Sequence, residues 1–220
     1  MQADYVQRLR MTFSKSGPAR YIGHLDLARA LERALNRANL PVAYTHGFNR
    51  RPRLQMASAL PLGYTSEYEL ADLLLVQRVE PEQARPQLMA KMAPGIDVFR
   101  MTEVPIHVPS LQASTKEATY VATLLDPVDW AALDEQIRVL LAQEVLLREQ
   151  EHKGKMKTYD LRPLILHLCL VDTADSWPQI HMRLLLQPSL TGRPDELLQA
   201  LGLDPLAARI HRTHIALQGE

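Results

Sequence analysis

The sequence predicts a mixed α+β fold made of two tandem ferredoxin-like domains, each running strand, helix, strand, strand, helix, strand, the second with an extra β-hairpin. Three observations carry this. Segments of strict two-residue alternation interleave with segments of helical spacing. The strand–helix order runs through once by residue 104 and repeats, without clear sequence self-similarity, from residue 119. Between the two runs, Pro105, Pro109 and the Ser/Thr-rich stretch Ser110–Thr115 read as a linker. The expected domains are therefore 1–108 and 117–220, and a chain of 220 residues buries enough surface to need no staple.

Each element has its own warrant. In residues 8–13, Leu9, Met11 and Phe13 share one face while Arg8, Arg10 and Thr12 share the other, the signature of a half-buried strand. Ser16-Gly17-Pro18 breaks it. From Leu25 to Asn39, Leu27, Ala28, Leu31, Ala34, Leu35 and Ala38 recur at helical spacing, with Arg29, Glu32, Arg33 and Arg37 opposite, until Pro41 ends the helix. Gly47, Asn49 and Pro52 mark an irregular loop, and extended segments follow near 53–60 and 67–77. A helix fits 81–93, between Pro81 and Pro94-Gly95, and 96–104 is a closing strand.

In the second half, 119–125 reads as a strand. Residues 128–142 read as a helix opened by Asp126-Pro127, with Trp130, Leu133, Ile137, Leu140 and Leu141 as its apolar stripe. Residues 144–171 are extended around a turn at His152-Lys153-Gly154-Lys155, and Ile180, Met182, Leu184 and Leu186 alternate as a strand. Gly192-Arg193-Pro194 opens a helix that Gly202 closes, and 208–217 is the last strand.

Composition narrows the function classes. No apolar run reaches the roughly 18 residues that a membrane span needs, and the N-terminal stretch lacks the uninterrupted apolar segment of a secretory signal. The single cysteine, Cys169, rules out an intramolecular disulfide and a cluster held by four thiolates of this chain, and fits a reducing cytoplasm. Cys169 lies in an apolar run and is expected to be a buried, inert thiol. No phosphate-binding, dinucleotide-binding or serine-hydrolase signature is present. The histidines do not pattern as a metal site, since His211 and His214 sit on a strand where a spacing of three means opposite faces. No cofactor and no metal are expected.

Net charge is zero, but residues 1–60 hold ten Lys and Arg against three Asp and Glu, and the remainder carries the compensating acidic excess. That asymmetry points to a basic face and a polyanionic partner, against the alternative of merely solvated helix faces. The stretch Thr45-His46-Gly47-Phe48-Asn49-Arg50-Arg51-Pro52-Arg53 concentrates it: three arginines suited to phosphates and base edges, and a phenylalanine that can stack on a base. The competing reading is a solvated loop with Phe48 tucked into the core. His24 and Asp26 lie at the start of the first helix, where orphan N–H groups favour anions. They read as an acid/base or phosphate contact and its orienting partner, or else as a packed loop residue and a helix cap. Lys153, Lys155 and Lys157 crowd the hairpin turn and either extend the basic surface or serve solubility. The candidate nucleic-acid-binding residues are His24, Asp26, His46, Phe48, Asn49, Arg50, Arg51 and Arg53; a functional centre would lie where the helix entrance meets the loop, which requires the loop to fold back along the helix, the alternative being separate structural caps, and no catalytic residue is assigned.

Several ordered blocks resemble the radical SAM-linked protein family, a domain of unknown function. They are Phe13-Ser14-Lys15-Ser16-Gly17-Pro18 with Ile22-Gly23-His24-Leu25-Asp26, Leu31-Glu32-Arg33-Ala34-Leu35, Gly47-Phe48-Asn49 and Ala59-Leu60-Pro61-Leu62-Gly63. Later blocks are Asp160-Leu161-Arg162-Pro163, Arg193-Pro194-Asp195-Glu196-Leu197-Leu198 and Arg209-Ile210-His211-Arg212-Thr213. Arg50 stands where that family's loop usually has proline, and Gly23 where serine is common. The resemblance implies a partner: a radical SAM protein with a cobalamin-binding region, encoded beside or fused to such a domain. The expected function is a non-catalytic partner that binds or presents RNA. The alternatives are a metal-independent endoribonuclease using His24 or His46, and a protein–protein adaptor that touches no nucleic acid.

Overall fold

The alternation of residues 8–13 extends into a nine-residue strand, β1 (Gln7–Lys15), in a computed structural model that describes residues 5–46, 48–152, 155–172 and 177–219. Gly47, Lys153 and Gly154, and the side chains of Lys155 and Lys157, lie outside what is described. The chain divides into two units, Met1–Thr115 and Lys116–Glu220, each mixing helices with an antiparallel sheet.

In the first unit β1 leads through a short 3-10 turn to α1 (His24–Arg37). The helix presents Leu27, Leu31, Ala34 and Leu35 inward, and Asn39, at φ 51, turns the chain away before Pro41. Next come β2 (Leu54–Met56), β3 (Thr65–Leu75), α2 (Pro81–Met89) and β4 (Ile96–Val104). The strands lie in the order β4-β1-β3-β2, with every pair antiparallel. Leu9, Met11 and Phe13 of β1, Ala71, Leu73 and Leu75 of β3, and Val98 of β4 form one core with α1 and α2.

Two boundaries differ from expectation. β2 is three residues long: Ala57 N–H still donates to Leu70 O (2.9 Å) of β3, and the chain is then drawn elsewhere, Gly63 N–H donating to Arg20 O (2.9 Å). α2 stops at Met89, yet Met92 and Ala93 still pack on the core before Gly95 turns at φ 86. A Cβ at Gly95 would run into the Ser16 carbonyl and Ala19, so only glycine fits this crossing of β4 and the β1 turn.

The other face of β1 is not the solvated face that alternation implies. Asp72 of β3 is fully buried and accepts from Arg8 Nε (2.7 Å), Arg10 Nε (2.8 Å) and Arg10 Nη2 (3.1 Å). Arg8 also donates through Nη1 to Val108 O (3.0 Å) and through Nη2 to Pro109 O (3.1 Å). The stretch expected as a linker is therefore bound down. Ser110 caps α3 (Leu111–Ser114) by accepting from Ala113 N–H, Leu111 is fully buried, and α3 packs on β2 and β3. Arg8, Arg10 and the buried Lys15 are thus largely withdrawn from the basic surface to which the sequence assigned them.

The second unit comprises β5 (Thr115–Leu124), α4 (Trp130–Ala142), the hairpin β6 (Leu147–His152) and β7 (Lys155–Asp160), β8 (Ile165–Val171), β9 (Gln179–Leu185), α5 (Pro194–Ala200) and β10 (Ala208–Leu217). Asp129, rather than Asp126-Pro127, caps α4 by accepting from Ala132 N–H (3.1 Å). Its main strands run β10-β5-β9-β8, and β6 and β7 pair separately. The Asp160–Pro163 block braces the foot of that hairpin. Asp160 accepts from Leu146 and Arg162 N–H, and Arg162 donates to the carbonyls of Leu141 and Gln143 at the end of α4 and of Ile165 at the start of β8.

Cys169 departs from its expected burial. A bulge between Ile165 and His167 resets the alternation of β8, so that Leu168 faces the core. Cys169 is half-buried opposite His181, in a surface depression that Thr119, His167 and Arg183 also line.

Candidate nucleic-acid interface

Residues 42–44 and 52–54 run side by side, with Arg53 N–H donating to Ala43 O (2.7 Å), Ala43 N–H to Leu74 O (2.7 Å) and Leu74 N–H to Arg53 O (3.1 Å). They bring the intervening loop off the edge of β3. Its neck is closed twice by Thr45 and Arg51: Thr45 N–H donates to Arg51 O (2.9 Å), and Arg51 N–H to Thr45 Oγ1 (3.0 Å). Beyond that neck His46, Phe48, Asn49 and Arg50 are exposed, as is Arg51, and Phe48 is fully so. The reading that tucks Phe48 into the core is therefore wrong: a neck this tight leaves the ring nothing of its own loop to pack on.

Arg53 plays a different part. It is half-buried, with its guanidinium over the ring of Tyr5 (5.5 Å to the centroid), so it braces the base of the loop while Arg50 and Arg51 project. A second brace is Tyr44, whose hydroxyl donates to Asn36 Oδ1 (2.5 Å) in the last turn of α1. Arg33 is one turn before Asn36 on the same helix face and Arg37 adjoins it; both are exposed. Arg37 Nη2 donates to Lys91 O (2.8 Å), which draws the exposed Lys91 to the same end of the helix. Arg50 and Arg51 are thus carried on a loop whose base is tied to the end of α1 that bears Arg33, Arg37 and, through the Arg37 bond, Lys91. The sequence showed the α1 arginines as a polar stripe; the fold reveals that the loop joins their C-terminal end.

His24 and Asp26 lie at the opposite end. From His24 to Asn36 is about 18 Å along the helix axis, so α1 separates the two segments, and the loop's base is tied to the helix end away from His24. Asp26 pairs with Arg29 (3.1 Å), both exposed, and does not cap the helix, whose N-cap is Gly23 with no side-chain bond. His24 is half-buried. Around this end the fold buries Lys15, Ser66 and Glu69, with Arg20 over the ring of Tyr21 (5.2 Å). Apolar alternation gave no sign of these buried polar groups. Among the described residues no group of three or more His, Cys, Asp or Glu side chains is placed to hold a metal ion, and no helix is long and apolar enough to cross a membrane.

Fold and surface together define a two-unit α+β protein with a mainly antiparallel sheet, five helices among the described residues and a cationic loop beside the first helix. The chain belongs to the family described as "uncharacterized protein conserved in bacteria (DUF2344)", which it matches over residues 8–194. No curated protein matches its sequence. Among solved structures it is similar to a chain of a Cbf5-Nop10-Gar1 complex (11% identity, TM-score 0.45, covering 94% of this chain and 48% of that one). It is also similar to a chain of the archaeal box H/ACA sRNP Nop10-Cbf5 complex (13% identity, TM-score 0.43, 95% and 48%). A third is a chain of an H/ACA RNP bound to a substrate RNA containing 2'-deoxyuridine (10% identity, TM-score 0.41, 94% and 47%). The chain spans about half the length of each.

Proposed function

We propose that this protein is a non-catalytic RNA-binding partner of a radical SAM enzyme, built from two tandem ferredoxin-like domains. The observation that carries RNA binding is the set of exposed cations on a projecting loop, Arg50 and Arg51, and at the helix end to which its base is tied, Arg33, Arg37 and Lys91. Guanidinium groups in such a group release counterions from a phosphate backbone, a sequence-independent source of affinity. The strand order β4-β1-β3-β2, repeated as β10-β5-β9-β8, supports the tandem reading. The radical SAM partner rests on the resemblance of the ordered sequence blocks. A chain with one cysteine cannot hold the cluster that radical chemistry requires, which fits a division of labour.

The test is RNA affinity across a salt series for the wild type and for R33A/R37A/R50A/R51A. The quadruple variant is expected to lose affinity for unrelated sequences alike, its log–log salt slope shrinking by about 0.7 per lost phosphate contact on single strands. An unchanged slope would place the RNA surface elsewhere, and cleavage of the RNA by metal-free protein would favour an endoribonuclease. Co-purification from the native host, with the captured proteins identified, tests the radical SAM partnership separately.

A further inference from the structure

The exposure of Phe48 is what phosphate binding leaves unexplained. Transferring a phenyl ring out of water is worth about 1.5–3 kcal/mol, yet this ring stands in solvent beyond the neck of a loop that also carries the exposed Arg50 and Arg51. A purely electrostatic surface has no use for it. Within a duplex each base face is already covered by its neighbours, whereas an unpaired base presents a free face to an aromatic ring. We infer that the loop is selective for single-stranded RNA: Phe48 stacks on one unpaired base while Arg50 and Arg51 hold the phosphates beside it and Arg33 and Arg37 take the strand onward along α1. The inference rests on the RNA-binding reading and adds the class of RNA.

Geometry favours this occupant. The loop's base is pinned on both sides, by Tyr44 to Asn36 and by Arg53 over Tyr5, so the ring is held out at small conformational cost when a base arrives. Arg50 and Arg51 follow the ring by two and three residues, and Tyr44 ties the loop's base to the helix that carries Arg33 and Arg37, so a strand stacked on the ring has positive charge on the same loop and on the helix that anchors it. Asn49, exposed next to Phe48, offers both a donor and an acceptor to that base's edge.

The experiment compares three probes by fluorescence anisotropy: an unstructured 12-nucleotide RNA, the same strand annealed to its complement, and vesicles of phosphatidylcholine with phosphatidylserine. The proteins are wild type, F48A, F48W and R33A/R37A, each checked for an unchanged thermal unfolding transition. Wild type is expected to prefer the single strand. F48A is expected to lose about five- to a hundredfold in affinity for it while binding the duplex within twofold of wild type, and F48W to retain single-strand binding. R33A/R37A should weaken both RNAs and lower the salt slope. If RNA binds but F48A has equal effects on both forms, or none, the stacking inference fails and the RNA-binding reading stands. If wild type binds neither RNA, both fail. Vesicle binding that depends on Phe48, without RNA binding, would reassign the loop to a lipid surface.

Discussion

Replacing Asp72 with asparagine tests the least expected part of the fold. The carboxylate is fully buried between Arg8, itself only 4% exposed in its side chain, and Arg10, at 16%. Asparagine keeps the shape, but removes the charge and turns an N–H group towards guanidinium donors. Two cations then share a low-dielectric face with only carbonyl oxygens to accept from them. Breaking a buried pair in this way typically costs 3–5 kcal/mol. At a urea slope of about 2 kcal/mol per M, a loss of about 4 kcal/mol moves the midpoint of the first unit down by about 2 M. Asp26→Asn is the matched control. Its pair with Arg29 is exposed on both sides, and such pairs contribute about 0–1 kcal/mol. Urea titration followed by far-ultraviolet circular dichroism reads both. An Asp72→Asn midpoint within about 0.3 M of wild type would mean that water reaches the cluster and that the face is not sealed.

Gly95→Ala is expected to cost at least about 2 kcal/mol in the same assay, because φ 86 and the Ser16 carbonyl both oppose a side chain. Glu103 is held below the ordinary carboxylate range, chiefly by its hydrogen bond from Gln7 and then by Arg78. Its stabilising contribution is thus present above the unfolded value and disappears as pH falls through the depressed folded one. Gln7→Ala should raise the carboxyl titration seen by NMR, and an unmoved titration would assign the shift to Arg78. The Tyr159 phenol is pushed above its usual value by burial and then by Glu196, so stability should fall as pH rises beyond the ordinary phenol range. Glu196→Gln should bring its ionisation, read at 295 nm, to lower pH.

What the sequence disclosed, and what it withheld, follows from what periodicity measures. Alternation in 96–104 coincides with β4, and the stripe from Leu27 to Ala38 with the buried face of α1, because an apolar face needs only one covering layer. Periodicity says which residues share a face, not what lies over it. Arg8 and Arg10 sit on a second face, where Asp72 of another strand and, for Arg8, carbonyls a hundred positions away take up their donors, so in the sequence they read as solvated. Cys169 was misplaced by a bulge, which no alternation within its own run of leucines could disclose. Ser110–Thr115 has a linker's composition, yet one leucine and one capping serine suffice to dock it. At the candidate interface the loop residues were legible as types. Their grouping with Arg33, Arg37 and Lys91 depended on Tyr44 reaching Asn36, a contact between two residues that carry no motif.

The Arg8 anchor also sets a timetable for synthesis. The carbonyls it binds are 100 and 101 positions downstream, and β1 lies between two strands that both emerge later. At about 5–20 residues per second a ribosome needs about 5–20 seconds to deliver them. Asp72 emerges earlier and can pair with both arginines, but until those carbonyls arrive Nη1 and Nη2 of Arg8 keep their water. The first unit therefore gains its last anchor only after all four of its strands have been made, and a nascent chain arrested before residue 109 should be less protected from protease than the finished unit.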